Sequence, residues 1–217
     1  IVAADEVACE FPRLYVDADV ELTTTAARTL VSSLAQDGVL AVAPRREIRL
    51  DGSSWPVRAY YRVWSRLSVI EDGLFGRGVL AVNVEGFSRI ADRPQVTGDD
   101  LYLHSRFDDA ERRIVEDAVS VIRGPRTVSD LIRRRIRAAQ GNTELAEQSD
   151  GRTVSTTSSA KDLLHLVRTQ PALWPSIAAF VAITITARIR ARMMRRTGAP
   201  ITWLRDESSR SSGTEDF

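Results

Sequence analysis

Three groups of side chains in this sequence have types and spacings suited to chemistry. Asp17 and Asp19 close the apolar run Leu14-Tyr15-Val16. Two carboxylates at i and i+2 on an extended strand end point the same way, so they could share a hard divalent cation, Mg2+ or Mn2+, bound to a diphosphate. Such a cation stabilises charge on a departing phosphate. Asp99 and Asp100 form a second acidic pair, after Gly98. One of them could remove the proton of an acceptor hydroxyl as general base while the other fixes the geometry. Arg133, Arg134 and Arg137 form the third group. Guanidinium forks match phosphate oxygens and compensate charge on a leaving group, so these arginines could clamp a pyrophosphate. Each group also has a plainer reading: a solvated turn after a strand, a helix cap, and a solvated basic helix face.

The elements that must carry these groups read as an α/β layer. Leu14 to Val16 is a short run of strand formers leading into the first acidic pair. Thr23 to Thr25 offer an N-cap, after which Ala27, Leu30, Val31 and Leu34 recur at helical spacing until Gly38. Leu40 to Ala43 is an apolar run of strand length ending at Pro44. The order strand, helix, strand predicts parallel pairing of the two strands. Val57 to Val69 reads as a helix rich in aromatics, followed by the glycine-punctuated turn Phe75-Gly76-Arg77-Gly78 and a strand over Val79 to Val82. That turn should present backbone amides. A short helix is expected around Leu101 to Phe107 and strand-like segments from Arg113 to Arg123. Ser129 is placed to cap a helix that runs through Gln140 and stops at Gly141-Asn142, which makes one face strongly cationic.

Composition sets the outer bounds. The 217 residues carry 43% hydrophobic and 27% charged side chains, the balance of an ordinary globular chain of one sizeable core or one domain with an appendage. Thirty Lys plus Arg stand against 29 Asp plus Glu, so nothing points to a uniformly basic surface for nucleic acid. Lys161 is the single lysine; arginines crowd into Arg133 to Arg137 and Arg188 to Arg196. The lone Cys9 cannot close an intrachain disulfide, which fits a reducing compartment. His104 and His165 lack Cys or His neighbours, so a histidine-centred metal site is not expected, although His104 lies near enough to Asp100 to line an acceptor pocket.

Taken in order, Tyr15-Val16-Asp17-Ala18-Asp19-Val20, Phe75-Gly76-Arg77-Gly78-Val79, Gly98-Asp99-Asp100-Leu101 and Arg133-Arg134-Arg135-Ile136-Arg137 with Gly141-Asn142 resemble the inverting glycosyltransferases of family 2. The resemblance covers roughly residues 1 to 145. It implies a GT-A-like fold, in which Asp17 and Asp19 look like the metal-binding Asp-x-Asp and Asp100 like the catalytic base, with Asp99 beside it. It also implies that Phe75, Gly76 and Gly78 line the acceptor site and that Arg137 takes the place of the arginine in the Gln-x-x-Arg-Trp motif of polysaccharide synthases. Arg134 stands where that motif has glutamine and Ala138 where it has tryptophan, so the similarity is to non-processive or divergent members. The implied reaction transfers a sugar, with inversion, from a nucleotide-sugar donor to a saccharide or lipid-linked acceptor. Members of this fold begin with a strand, turn and helix that bind the nucleotide base, whereas Ile1 to Glu10 resembles the end of the following helix. The expectation is therefore an N-terminally truncated domain over residues 1–147.

Residues 148–162 are rich in Ser, Thr, Gly and Asp and are expected to form a flexible linker, 163–197 a helical segment, and 198–217 a tail. Ala172 to Ala187 contains no charged residue and is followed by Arg188, Arg190, Arg192, Arg195 and Arg196. It falls short of the roughly 20 apolar residues of a bilayer span. A helix on a membrane surface, with Trp174 and Trp203 at its margins, is as reasonable as a packed core helix. The expected location is cytoplasmic, peripheral to the inner face of the cell membrane. Two other classes remain open: a non-catalytic interaction module that binds glycan, lipid or a partner protein, and a nucleotidyltransferase, which also uses paired carboxylates.

Overall fold

The computed structural model of the chain describes residues 5, 10–92, 99–148 and 160–197. The expected helix end over Ile1 to Glu10, Gly98, most of the 148–162 linker, Trp203 and the 198–217 tail lie largely or wholly outside the described residues. The chain groups into two compact units that do not follow a single cut along the sequence. The first comprises Ile1–Arg49, Gly73–Gln95 and Asp99–Arg123, and the second comprises Leu50–Asp72, Val96–Gly98 and Gly124–Phe217.

The first unit is mixed α/β. Its strands are β1 (Arg13–Val16), β2 (Val20–Leu22), β3 (Ala41–Arg49), β4 (Val79–Val82) and β5 (Arg112–Arg123), in the sheet order β1-β4-β3-β5-β2. β4 is antiparallel to both β1 and β3, and β3 pairs in parallel with β5. The parallel pairing expected of β1 and β3 is thus not a neighbour pairing, because β4 lies between them. Strand β4 is buried on both faces, which is why Val79 to Val82 reads as a continuous apolar run rather than an alternation.

Side chains alternate across this sheet into two cores. Val42, Val79 and Ala81 pack with Ala26, Leu30 and Leu34 of the first helical segment, α1 (Thr24–Ser33) and its C-cap. Ala41, Ala43, Leu80 and Val82 pack with Ile90 of the helix over Val84–Ile90 and with Leu103 of the helix over Asp99–Ser105. Thr23 Oγ1 accepts from Ala26 N at 3.1 Å, as its N-cap position predicts. The buried stripe of α1 is Ala26, Leu30 and Leu34, so Val31, expected inward, is exposed instead.

One strand expectation is corrected. β3 does not stop at Pro44 but continues to Arg49, with the register shifting between Pro44 and Arg45, where β5 bulges over Glu116–Ala118. A bulge is the place where a sheet tolerates a residue without an N–H. In β5 the inward residues are Ala118, Ser120 and Ile122, so the polar Ser120 is fully buried while Val119 and Val121 are not.

The second unit is helical. After Ser54 come α2 (Trp55–Trp64) and the single turn α3 (Ser68–Glu71). With the first-unit helices α4 (Val84–Ile90) and α5 (Asp99–Ser105) counted, the later ones are α6 (Val128–Gln148), α7 (Ala160–Thr169) and α8 (Trp174–Thr197). The helix expected over Val57 to Val69 is therefore two shorter helices. Ser53 Oγ donates to Pro125 O at 2.9 Å and Ser54 N donates to Arg126 O, tying residues 50–72 to the chain beyond Gly124. Tyr60 of α2 stacks on Phe180 of α8 with ring centroids 4.9 Å apart.

Helix α6 departs from expectation at both ends. Its N-terminal hydroxyl is Thr127, not Ser129: Asp130 N donates to Thr127 Oγ1, which donates in turn to Asp130 Oδ2 at 2.6 Å. Its C-terminal end is Gln148, so the backbone passes through Gly141-Asn142 without stopping. A glycine lowers helix stability by only about 1 kcal/mol, and the rest of a long helix can absorb that.

Candidate functional site

The β1–β2 connection is shaped by its backbone. Pairing of β1 with β4 continues one step beyond Val16, with Asp17 N donating to Gly78 O at 2.8 Å. The chain then reverses as Val20 N donates to Asp17 O at 3.1 Å, and β2 departs to pair with β5. Asp17 and Asp19 are accordingly exposed residues of a tight turn, and not successive same-side positions on an extended strand. A hard cation that keeps its waters and substrate oxygens needs few protein ligands. Two exposed carboxylates two residues apart fit that demand as a donor set. Among the described residues no group of three or more His, Cys, Asp or Glu side chains is gathered for a metal.

Gly78 is pressed against this turn. It has φ +64°, and a Cβ there would meet Val20 Cγ2 at 2.3 Å and Asp17 Oδ2 at 3.3 Å. Gly76 also has positive φ, at 65°. The glycine punctuation of Phe75-Gly76-Arg77-Gly78 therefore serves a left-handed backbone and, at Gly78, a close approach.

Arg77 holds the loop from inside. It is buried, its Nε donates to Gly73 O at 2.7 Å and its guanidinium NH1 donates to Pro44 O at 3.0 Å. Ser120 Oγ donates to Arg77 O at 2.8 Å. The backbone oxygen satisfied by the guanidinium is that of Pro44, where β3 faces the β5 bulge, so the irregularity in the sheet and the loop are built together.

The other end of the loop is fastened to α5. Leu74 N donates to His104 Nδ1 at 3.2 Å, and the Phe75 ring meets the His104 ring edge-on, with centroids 5.1 Å apart. Burial holds the His104 pKa down at about 4, with Arg112 adding to the effect, Asp109 opposing it and Arg77 adding a little more. The imidazole is thus neutral near pH 7, which lets Nδ1 act as an acceptor. Asp99 and Asp100 are the first two residues of α5, and their side chains lie outside the described residues.

The loop therefore touches one of the three groups singled out by chemistry, the Asp17–Asp19 turn, through Gly78, and through Leu74 and Phe75 it meets the His104 end of α5, the helix whose opposite end carries Asp99 and Asp100. Of the residues that fasten the loop, His104 is named from the sequence only as a lining of the acceptor pocket, and Arg77 and Ser120 do not stand out as site residues. The available signal is an arginine flanked by two glycines in an apolar setting, and a serine at an inward position of a strand.

The arginines of α6 belong to the second unit. Arg133 pairs with Asp130 at 3.0 Å, one turn earlier on the same helix. Arg134 and Arg137 are half-buried. Burial raises the pKa of Tyr60, while Arg135 and, more weakly, Arg134 pull it back, which places their charge close to α2. No protein-family model matches the chain, and no curated protein matches it significantly.

Proposed function

We propose that the first unit is the metal-binding and acceptor-binding part of an inverting, GT-A-like glycosyltransferase, which moves a sugar from a nucleoside-diphosphate donor to a hydroxyl acceptor. The observation that carries this reading is the loop Phe75–Gly78, bonded at Gly78 O to Asp17 N and clasped at Leu74 N by His104. Transfer with inversion needs a charge-neutralising centre at the diphosphate and a base on the acceptor side. A single loop that contacts the Asp17–Asp19 turn and the helix carrying Asp100 supports that division of labour.

In this reading Asp17 and Asp19 hold the divalent cation, Mg2+ or Mn2+, which when bound offsets the charge of the leaving diphosphate. Asp100 takes the proton of the acceptor hydroxyl, and Asp99 fixes its approach. Phe75, Gly76 and Gly78 line the acceptor side. Arg133, Arg134 and Arg137 belong to the second unit and have no part in this assignment.

Calorimetric titration of UDP-sugars and GDP-sugars, with and without Mn2+, tests the reading on the wild-type chain and on Asp19→Ala. We expect Mn2+-dependent binding that Asp19→Ala weakens by about tenfold or more. Donor binding that ignores both the metal and the substitution, or no binding at all, would sink the reading and favour an interaction module.

A further inference from the structure

Helix α8 presents two apolar stripes on opposite sides. Ser176, Ile177, Phe180, Ile183, Ala187 and Ala191 are buried along one side, which includes the Tyr60–Phe180 stack on α2. At about 100° per residue, Trp174, Ala178, Ala182, Ile185 and Ile189 fall on the other side. These are exposed: Trp174 by 58% and Ile185 and Ile189 by 50% each. At roughly 1.5 Å per residue this open stripe runs about 22 Å from Trp174 to Ile189. A helix that is apolar all round while only one side is packed lacks a cover on the other.

Charge identifies the cover. Residues 174–197 contain no Asp or Glu, and Arg188, Arg190 and Arg192 are exposed at the C-terminal end of the stripe. Trp174 Nε1 donates to Val167 O at 3.0 Å, so its exposed ring carries no unmet N–H into an apolar medium. We infer that α8 docks flat on an anionic phospholipid bilayer, with the Trp174–Ile189 stripe among the acyl chains near the headgroups and the arginines on lipid phosphates.

By length and composition the 24 residues Pro171–Met194, which include an 18-residue window of mean hydropathy 1.6, suffice to cross a membrane. The buried stripe argues for lying flat. It engages protein from Ser176 to Ala191, and α6 among its second-unit neighbours carries Arg133, Arg134, Arg135 and Arg137, which a crossing helix would drag into hydrocarbon. This docking is independent of the transfer chemistry.

Flotation of the full chain with vesicles of phosphatidylcholine alone, and of phosphatidylcholine with phosphatidylglycerol in equal parts, tests it. Wild type should float with the anionic vesicles, be released by alkaline carbonate, and bind neutral vesicles at least about tenfold more weakly. Ile185→Glu with Ile189→Glu, both at exposed positions, should abolish flotation with the helical circular dichroism unchanged. Arg188→Gln with Arg192→Gln should remove the preference for anionic lipid. Wild type that stays in solution overturns the inference, and so does carbonate-resistant insertion. It also fails if the chain forms a dimer that the Ile185/Ile189 variant dissociates and no vesicle binds.

Discussion

At the scale of single residues, His104 is where burial, charge and geometry meet. Its Nδ1 must stay unprotonated to accept from Leu74 N, and burial with Arg112 nearby keeps it so down to about pH 4. In the unfolded chain a histidine takes up its proton near pH 6.5. Above that value neither state binds the proton and the group does not affect stability through pH. As pH falls from 6.5 to 4 the unfolded state binds a proton that the folded state refuses, so stability declines across that window and levels off below it. After a discount for residual solvent screening, the loss should be about 2 kcal/mol. His104→Gln keeps an acceptor oxygen for Leu74 N but cannot titrate. Urea unfolding of both proteins from pH 7 to pH 4 should show curves that converge at low pH, the wild type having lost its advantage. Parallel curves would remove His104 as the titrating group.

At the scale of elements, the contact between the β1–β2 turn and the loop before β4 depends on Gly78. Gly38 also has positive φ, +78°, but nothing lies within 4 Å of its added Cβ. The pair separates backbone strain from crowding. Gly38→Ala should cost about 1–2 kcal/mol for the left-handed backbone alone. Gly78→Ala adds the clash with Val20 and should cost about 1–3 kcal/mol more. The urea midpoint should fall further for Gly78→Ala at unchanged m-value. Equal losses would mean that the turn moves aside without penalty.

The same elements show what the sequence reveals and what it hides. β4 is legible because burial on both faces leaves an unbroken apolar run, and the start of α1 because Thr23 is a strong cap. The continuation of β3 past Pro44 is hidden, since a proline signals an end unless the partner strand is known to bulge there. The run of α6 through Gly141-Asn142 is hidden for a similar reason: a stop signal acts only where the chain would not gain by continuing. Of the candidate site, the acidic turn and the glycine loop are visible as residue types. Their fastening by Arg77, His104 and Ser120 is not, because it joins residues as far apart in sequence as 77 and 120.

At the scale of the whole molecule, the described residues of the helical unit come from two separate stretches of the chain. Residues 50–72 contribute α2, and everything from Gly124 onward contributes α6, α7 and α8. The join includes the Tyr60–Phe180 stack, Ser53 Oγ on Pro125 O and Ser54 N on Arg126 O. A fragment starting at Gly124 keeps three long helices yet loses the element on which Phe180 packs. Isolated helices owe most of their stability to tertiary packing, and burying a large aromatic contributes a few kcal/mol that the fragment forgoes. The fragment should therefore show much less helical circular dichroism per residue than the intact chain predicts, and no cooperative thermal transition. A synthetic peptide covering residues 50–72 should restore part of the signal, and the same peptide with Tyr60→Ala should restore less. A fragment that melts cooperatively without the peptide would mean that α6, α7 and α8 form a core without α2, and that the stretch 50–72 is an addition to the helical unit rather than a structural part of it.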